Sequence, residues 1–109
     1  MFEDTIPQGT LDMLVLTALA RRGTLHGFEI AEAIGQASSD VLTVEEGSLY
    51  PALQRMLVKG WVVGDWGRTS ENRRARYYRL TAAGRRQLDR EINAYRRMTG
   101  AIARVLEMA

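Results

Sequence analysis

The stretch EEGSLYPALQRMLVKGWV, residues 45–62, decides the fold because it combines helical periodicity with a side rich in polar groups. Apolar residues recur at the spacing of one helix face, namely Leu49, Leu53, Met56 and Leu57. Four hydrogen-bonding residues are presented outward: Ser48, Tyr50, Gln54 and Arg55. Two helix starts remain open. Thr43 and Glu46 have the spacing of a capping box, whereas Pro51 favours a start near Gly47 or Ser48.

Two helices are predicted before this stretch. GTLDMLVLTALARRG, residues 9–23, begins after the possible N-cap Thr10, ends at Gly23 and is apolar on almost every side. TLHGFEIAEAIGQAS, residues 24–38, forms a shorter helix after a tight turn. Its inward side is predicted to hold Phe28, Ile30, Ala31 and Ile34.

A β-hairpin and a final helix are predicted after it. WVVGDW, residues 61–66, and ARYYRL, residues 75–80, are β-branched and aromatic, and GRTSENRR, residues 67–74, separates them. From Thr81 to Met108 the helical pattern returns. Its apolar seam has heptad spacing, weakened by one threonine, and comprises Leu88, Ile92, Tyr95, Thr99, Ile102 and Leu106.

The composition bounds the class of protein. A chain of 109 residues, 46% of them apolar, accommodates one domain with a small core. It has no cysteine, which excludes disulfides and thiolate chemistry and is compatible with a reducing cytosol. No apolar run is long enough to span a bilayer, and residues 1–8, MFEDTIPQ, are acidic rather than typical of a signal peptide. We therefore expect a cytoplasmic protein that does not enter a membrane.

The charge is unevenly distributed along the chain. Residues 1–60 hold 4 basic and 8 acidic groups, whereas residues 61–86 hold 7 basic and 2 acidic groups. The net charge of +2 conceals this asymmetry. A short basic segment on an acidic body indicates a localised site for a polyanion.

The order of elements predicts a mainly α fold with a small β-hairpin, a winged helix-turn-helix over residues 1–80 with a C-terminal dimerisation helix over residues 81–109. In this geometry the third helix enters the DNA major groove, where glutamine can read adenine and arginine can read guanine. Serine and tyrosine hydroxyls suit phosphates or bases. The wing arginines, whose planar guanidinium groups suit phosphate, are Arg68, Arg73, Arg74 and Arg76.

A homodimer is predicted from the first and last helices, because a small winged-helix core cannot cover both of their apolar surfaces. The residues assigned to this interface are Leu11, Leu14, Leu88, Ile92, Tyr95, Ile102 and Leu106. Two-fold symmetry would then place two third helices on one side of the DNA.

Three stretches resemble successive signatures of PadR-type transcriptional regulators: LHGFEIAEAI at 25–34, the opening stretch at 45–62, and RRARYYRLTAAGRRQL at 73–88. The resemblance runs from about residue 9 to residue 92. It implies a dimeric repressor of a pseudo-palindromic operator, with a recognition helix at 48–59, a wing at 62–80 and the single C-terminal helix of the family's small subclass. Phe28 stands where many members have tyrosine, which removes a hydroxyl. The resemblance, with Tyr95 and Met98 near the seam, also leaves open a small aromatic effector.

Other functions are weighed against this one. A winged helix can serve as a protein-interaction module without DNA binding, but such a module does not require four wing arginines. An enzyme is disfavoured, because no nucleophile-base pair, metal cluster or phosphate-binding glycine loop is present in the sequence. His26, the only histidine, has no partner at catalytic spacing and is predicted to help start the second helix, near a DNA phosphate. No catalytic residue, metal or cofactor is predicted.

Overall fold

The computed structural model describes residue 6 and residues 9–108. The elements follow in the order α1 (Leu11–Arg22), β1 (Leu25–His26), α2 (Gly27–Ala37), α3 (Glu46–Val58), β2 (Val62–Arg68), β3 (Arg74–Leu80) and α4 (Ala82–Leu106). This confirms the mainly α fold with a winged helix-turn-helix and a C-terminal helix. The acidic start MFEDTIPQ lies outside the described residues, apart from Ile6.

The helix ends follow from local capping. Thr10 precedes α1, and Gly23 ends it with a φ of 87°, a left-handed value that favours glycine. Thr81 starts α4, where its hydroxyl oxygen accepts a hydrogen bond from the Gly84 N–H at 3.0 Å. The Thr43 capping box is wrong, because α3 begins after Glu45. Its first residue lies one position before the alternative start near Gly47.

The sheet has a strand that the sequence pattern did not predict. β1 pairs antiparallel with β3, with Leu25 opposite Tyr78, so the strand order is β1-β3-β2. A two-residue strand is too short to show the alternation that identifies strands in a sequence. This pairing fixes the start of α2 against the base of the wing.

The core lies between α1, α2, α3 and the base of the sheet. Its fully buried side chains include Leu16, Ile30, Leu49 and Met56. The inward placement of Phe28 is wrong, because its side chain is 68% exposed. α2 instead buries Ile30, Ala33 and Ile34, a helical face on which the second residue of the helix does not lie.

The C-terminal helix divides into a docked part and a projecting part. Leu88 is 5% exposed within the core of its own chain, and Ile92 packs against that core. Leu88 and Ile92, which were assigned to the dimer interface because the core was expected not to cover them, therefore do contact the core of their own chain. The side chains of Tyr95, Ile102 and Leu106 are 46%, 48% and 79% exposed. From α1, Leu11 and Leu14 are partly buried against the core.

Candidate nucleic-acid interface

The outer surface of α3 is set by the residues that the helix buries. Leu49, Leu53 and Met56 are at most 1% exposed and mark the inner face. At 100° per residue, the opposite face carries Pro51, Gln54 and Val58, all exposed. Gln54 is therefore the hydrogen-bonding side chain at the centre of the outer face of α3.

The four polar residues predicted on α3 do not form one group. Ser48 and Arg55 lie on the flank that faces the start of α1, where the Arg55 Nη2 donates to Asp12 Oδ1 at 2.9 Å. Tyr50 lies on the opposite flank, next to the first residue of α2. The structure thus separates the four residues into a central one, Gln54, and two flanks.

Glycine at position 27 makes room for Tyr50. A Cβ on residue 27 would lie 2.7 Å from the Tyr50 hydroxyl oxygen and 3.0 Å from two ring carbons. Tyr50 is 48% exposed, so its ring packs against the start of α2 while part of it remains open to solvent. Tyr50 therefore lines a cleft that it shares with the start of α2 and the wing.

The wing tip presents three of the predicted arginines. Arg68, Arg73 and Arg74 are exposed around a tight turn closed by a hydrogen bond from the Thr69 N–H to the Arg73 carbonyl at 2.8 Å. Arg68 also donates to the Asn72 carbonyl at 3.2 Å. Arg68 and Arg74 face each other across β2 and β3, a pairing of like charges that disfavours folding by itself.

An aromatic residue separates the tip from the fourth arginine. The Arg74 guanidinium carbon lies 4.3 Å from the centroid of Trp66, within cation–π range. Arg76 is opposite Trp66 in the sheet and only partly exposed, 5.9 Å from the ring centroids of both Trp66 and Tyr78. Arg76 lies against Gly64, midway along the hairpin, within the strand predicted for residues 75–80.

Arg76 is the one described residue with a buried side-chain nitrogen, Nε, that lacks a hydrogen-bond partner. Beside it, burial raises the pKa of the Tyr78 phenol, and the nearby positive charge of Arg76 opposes that rise. Tyr50 also raises this pKa slightly. β3 therefore holds a neutral phenol, that of Tyr78, beside the Arg76 guanidinium group.

His26 has the structural role predicted for it. Its Nδ1 accepts a hydrogen bond from the Glu29 N–H at 3.4 Å, and the Glu29 carboxylate accepts from the His26 N–H at 3.1 Å, which together form a capping box. The imidazole also meets the ring of Tyr77 edge-on at 5.2 Å. A contact between His26 and a phosphate stays a prediction.

These residues surround a cleft of about 870 Å³ between the start of α2, α3 and the wing. Tyr50, His26 and Trp66 line it together with Arg73, Arg74 and Arg76. Sequence reasoning left the role of Trp66 open and did not assign Asp12. Asp12 has no local signal, because its partner Arg55 lies 43 positions away in the sequence.

Within residues 9–108 and residue 6, His, Asp and Glu side chains form no group of three or more that could hold a metal ion. None of the helices in this described part is both long and apolar enough to cross a membrane.

Residues 15–90 match the model of the transcriptional regulator PadR-like family. The protein belongs to this family of transcriptional regulators. It is 44% identical, over 90 residues, to an uncharacterized 37.1 kDa protein in transposon TN4556 of Streptomyces fradiae; the match covers 83% of this chain and 24% of that protein.

Solved structures show the same fold. A transcriptional regulator from Clostridium thermocellum matches with a TM-score of 0.80 and 24% identity, covering 89% of this chain and 93% of that one. Bacillus subtilis PadR, solved in complex with operator DNA, matches with a TM-score of 0.67 and 21% identity, over 80% of this chain and 48% of that one.

Proposed function

We propose that the protein is a sequence-specific DNA-binding repressor that binds a pseudo-palindromic operator as a homodimer in the cytoplasm. The observation that carries this proposal is the cleft in which Tyr50 of α3 meets Arg73 and Arg74 of the wing, together with the exposure of Gln54 on the outer face of the same helix. Glutamine can read an adenine edge in the major groove, while arginines bind the adjacent backbone. The operator complex of Bacillus subtilis PadR supports this assignment by similarity of fold.

The facing pair Arg68 and Arg74 supports a polyanion as the partner. Like charges on opposite strands repel each other, and a phosphate between them would convert this repulsion into attraction. Trp66 holds the Arg74 guanidinium over its ring at 4.3 Å, which limits the orientations that the arginine can adopt before binding. The pre-formed arrangement lowers the entropy cost of contacting DNA.

The homodimer rests on the projecting part of α4. Five exposed apolar residues recur there at helical spacing: Tyr95, Met98, Ile102, Val105 and Leu106. Such a continuous apolar strip on a small protein marks an interface with another chain. A second copy related by two-fold symmetry would bury both strips and place two α3 helices one or two helical turns of DNA apart.

The experiment is to incubate the purified protein with sheared genomic DNA, recover the bound fragments and sequence them. We expect one inverted repeat to be enriched, and a promoter carrying it to lose activity when the protein is supplied. Recovery of random fragments would argue against sequence-specific binding. The protein is also incubated with an extract of the host cells. If it binds proteins from this extract but no fragment of genomic DNA, an interaction module is favoured.

A small aromatic effector is a further part of this proposal. Tyr95 and Met98 are 46% and 62% exposed on α4, and both side chains adapt to flat apolar ligands. Trp61 and Trp66 lie at the base and middle of the wing, so titration calorimetry is a more direct probe of α4 than tryptophan fluorescence. Planar aromatic compounds should give saturable heats with the wild type and weaker ones with Tyr95→Ala; flat titrations throughout would exclude such an effector.

A further inference from the structure

The flank of α3 that faces α1 carries an ion pair between two helices. Arg55 Nη2 donates to Asp12 Oδ1 at 2.9 Å, with the Arg55 side chain 56% exposed and the Asp12 side chain 21% exposed. The other close contact between a basic and an acidic side chain among the described residues, His26 with Glu29, is local to the start of α2. The Asp12 contact therefore orients the Arg55 guanidinium from a separate element.

Asp12 is a fixed point for this contact. It lies in the first turn of α1, where the helix dipole stabilises a negative charge. α1 is anchored in the core by Val15, Leu16 and Leu19. The carboxylate is therefore presented to α3 from a helix that is packed in the core.

The guanidinium retains donors for a second partner. Arginine has five N–H donors, and the Asp12 carboxylate accepts one of them in this structure. Guanine presents two acceptors, O6 and N7, to the major groove, and an arginine that meets both must hold its fork in one orientation. An exposed arginine without a fixed partner samples many rotamers and loses this freedom on binding.

We infer that Asp12 is a positioning residue for base readout: it holds Arg55 at the edge of α3 so that the remaining N–H groups meet a guanine in each half-site. This inference rests on the proposed function, since it names one specificity contact of the proposed DNA complex. The negative charge of Asp12 should also repel phosphates of any sequence. Removal of the Asp12 carboxylate should therefore weaken sequence-specific binding and strengthen binding to DNA of any other sequence.

The experiment compares a duplex selected by the wild type from a random library with a scrambled duplex of the same composition, using fluorescence anisotropy at fixed salt. For Asp12→Ala we expect tighter binding to the scrambled duplex and a selected-to-scrambled affinity ratio about tenfold lower, within the discrimination of one bidentate pair. Replacing the guanine that Arg55 is proposed to contact with 7-deazaguanine, which lacks N7, should weaken binding of the selected duplex by the wild type. The same replacement should leave the affinity of Asp12→Ala for this duplex unchanged.

A double-mutant cycle gives the control. In an Arg55→Ala background, Asp12→Ala should no longer lower the selected-to-scrambled affinity ratio. In the presence of Arg55, Asp12→Asn keeps a carbonyl acceptor and should lower this ratio less than Asp12→Ala does. Each variant should remain folded, because an exposed ion pair contributes little to stability. Thermal melting followed by circular dichroism checks this.

Two results would overturn the inference: a selected-to-scrambled ratio that is unchanged in Asp12→Ala, or the same lowering of this ratio by Asp12→Ala in the Arg55→Ala background. In those cases the wild type still selects a sequence and the proposed function stands. If the wild type selects no sequence, the proposed function fails together with this inference.

Discussion

Gly84, in the first turn of α4, packs directly against the main-chain carbonyl oxygen of Trp61, so closely that a Cβ on residue 84 would overlap that oxygen. The carbonyl cannot easily move away, because it accepts a hydrogen bond from the Thr81 N–H at 3.0 Å. The Thr81 hydroxyl also lies 3.0 Å from it, although this hydroxyl is closer to its other acceptor, the Gly60 carbonyl, at 2.6 Å. This contact joins the end of α3, the start of the wing and the start of α4.

We predict that Gly84→Ala lowers the free energy of unfolding by about 1 to 3 kcal/mol, because the overlap outweighs the better helix propensity of alanine. Urea denaturation at one fixed protein concentration measures this change. The matched control is Gly35→Ala in α2, where a Cβ would meet its nearest atom at an ordinary 3.6 Å and should be neutral or stabilising. Equal stability of the two variants would show that the α4 junction tolerates a side chain.

The wing arginines should supply affinity without sequence preference. Arg73 is exposed and its side chain makes no hydrogen bond or ion pair with the described residues, so we expect it to contact a phosphate. Arg73→Ala should weaken binding to selected and scrambled DNA alike and reduce the slope of log K against log salt by about 0.9. Arg22→Ala, which removes a charge at the end of α1, is the control and should leave the slope unchanged. A normal slope in Arg73→Ala contradicts the phosphate contact.

Gln54 should supply sequence preference instead. It is exposed at the centre of the outer face of α3, and loss of a bidentate contact with adenine costs about 1 to 3 kcal/mol at one base pair. Gln54→Ala should therefore reduce affinity for the selected duplex and leave affinity for scrambled DNA nearly unchanged. Binding to duplexes with single base-pair changes identifies the affected position. Gln36→Ala, an exposed glutamine on α2, serves as control; a uniform loss of affinity for all sequences would mean that Gln54 does not read bases.

The projecting strip of α4 should hold the dimer together. Ile102→Asp with Val105→Asp places two charges in this strip without touching the core, so we expect a folded monomer that loses most operator affinity. Sedimentation equilibrium measures the association state, and Asn93→Asp, on the opposite side of α4, is the control. The dimer proposal would have to be abandoned if the wild type were monomeric at micromolar concentration while binding its operator.

The same substitution at Ile92 would be harder to interpret. Ile92 packs against the core of its own chain, so an aspartate there would destabilise the monomer as well as any interface. The heptad pattern places Leu88, Ile92, Tyr95 and Ile102 on one face of the helix. The pattern does not show whether that face packs against the same chain or against another one. Only the packing of α4 on α1 separates the intrachain contacts from the exposed strip.

Local signals were enough to predict most of the helices and strands. Thr81, Gly23 and the periodicity around Leu53 set helix ends and buried faces within a few residues, so the order of helices and wing followed from them. Which polar groups act together depends instead on tertiary packing. Arg55 meets Asp12 and β1 pairs with β3, because each of these contacts joins residues far apart in sequence whose distances depend on how the whole core packs.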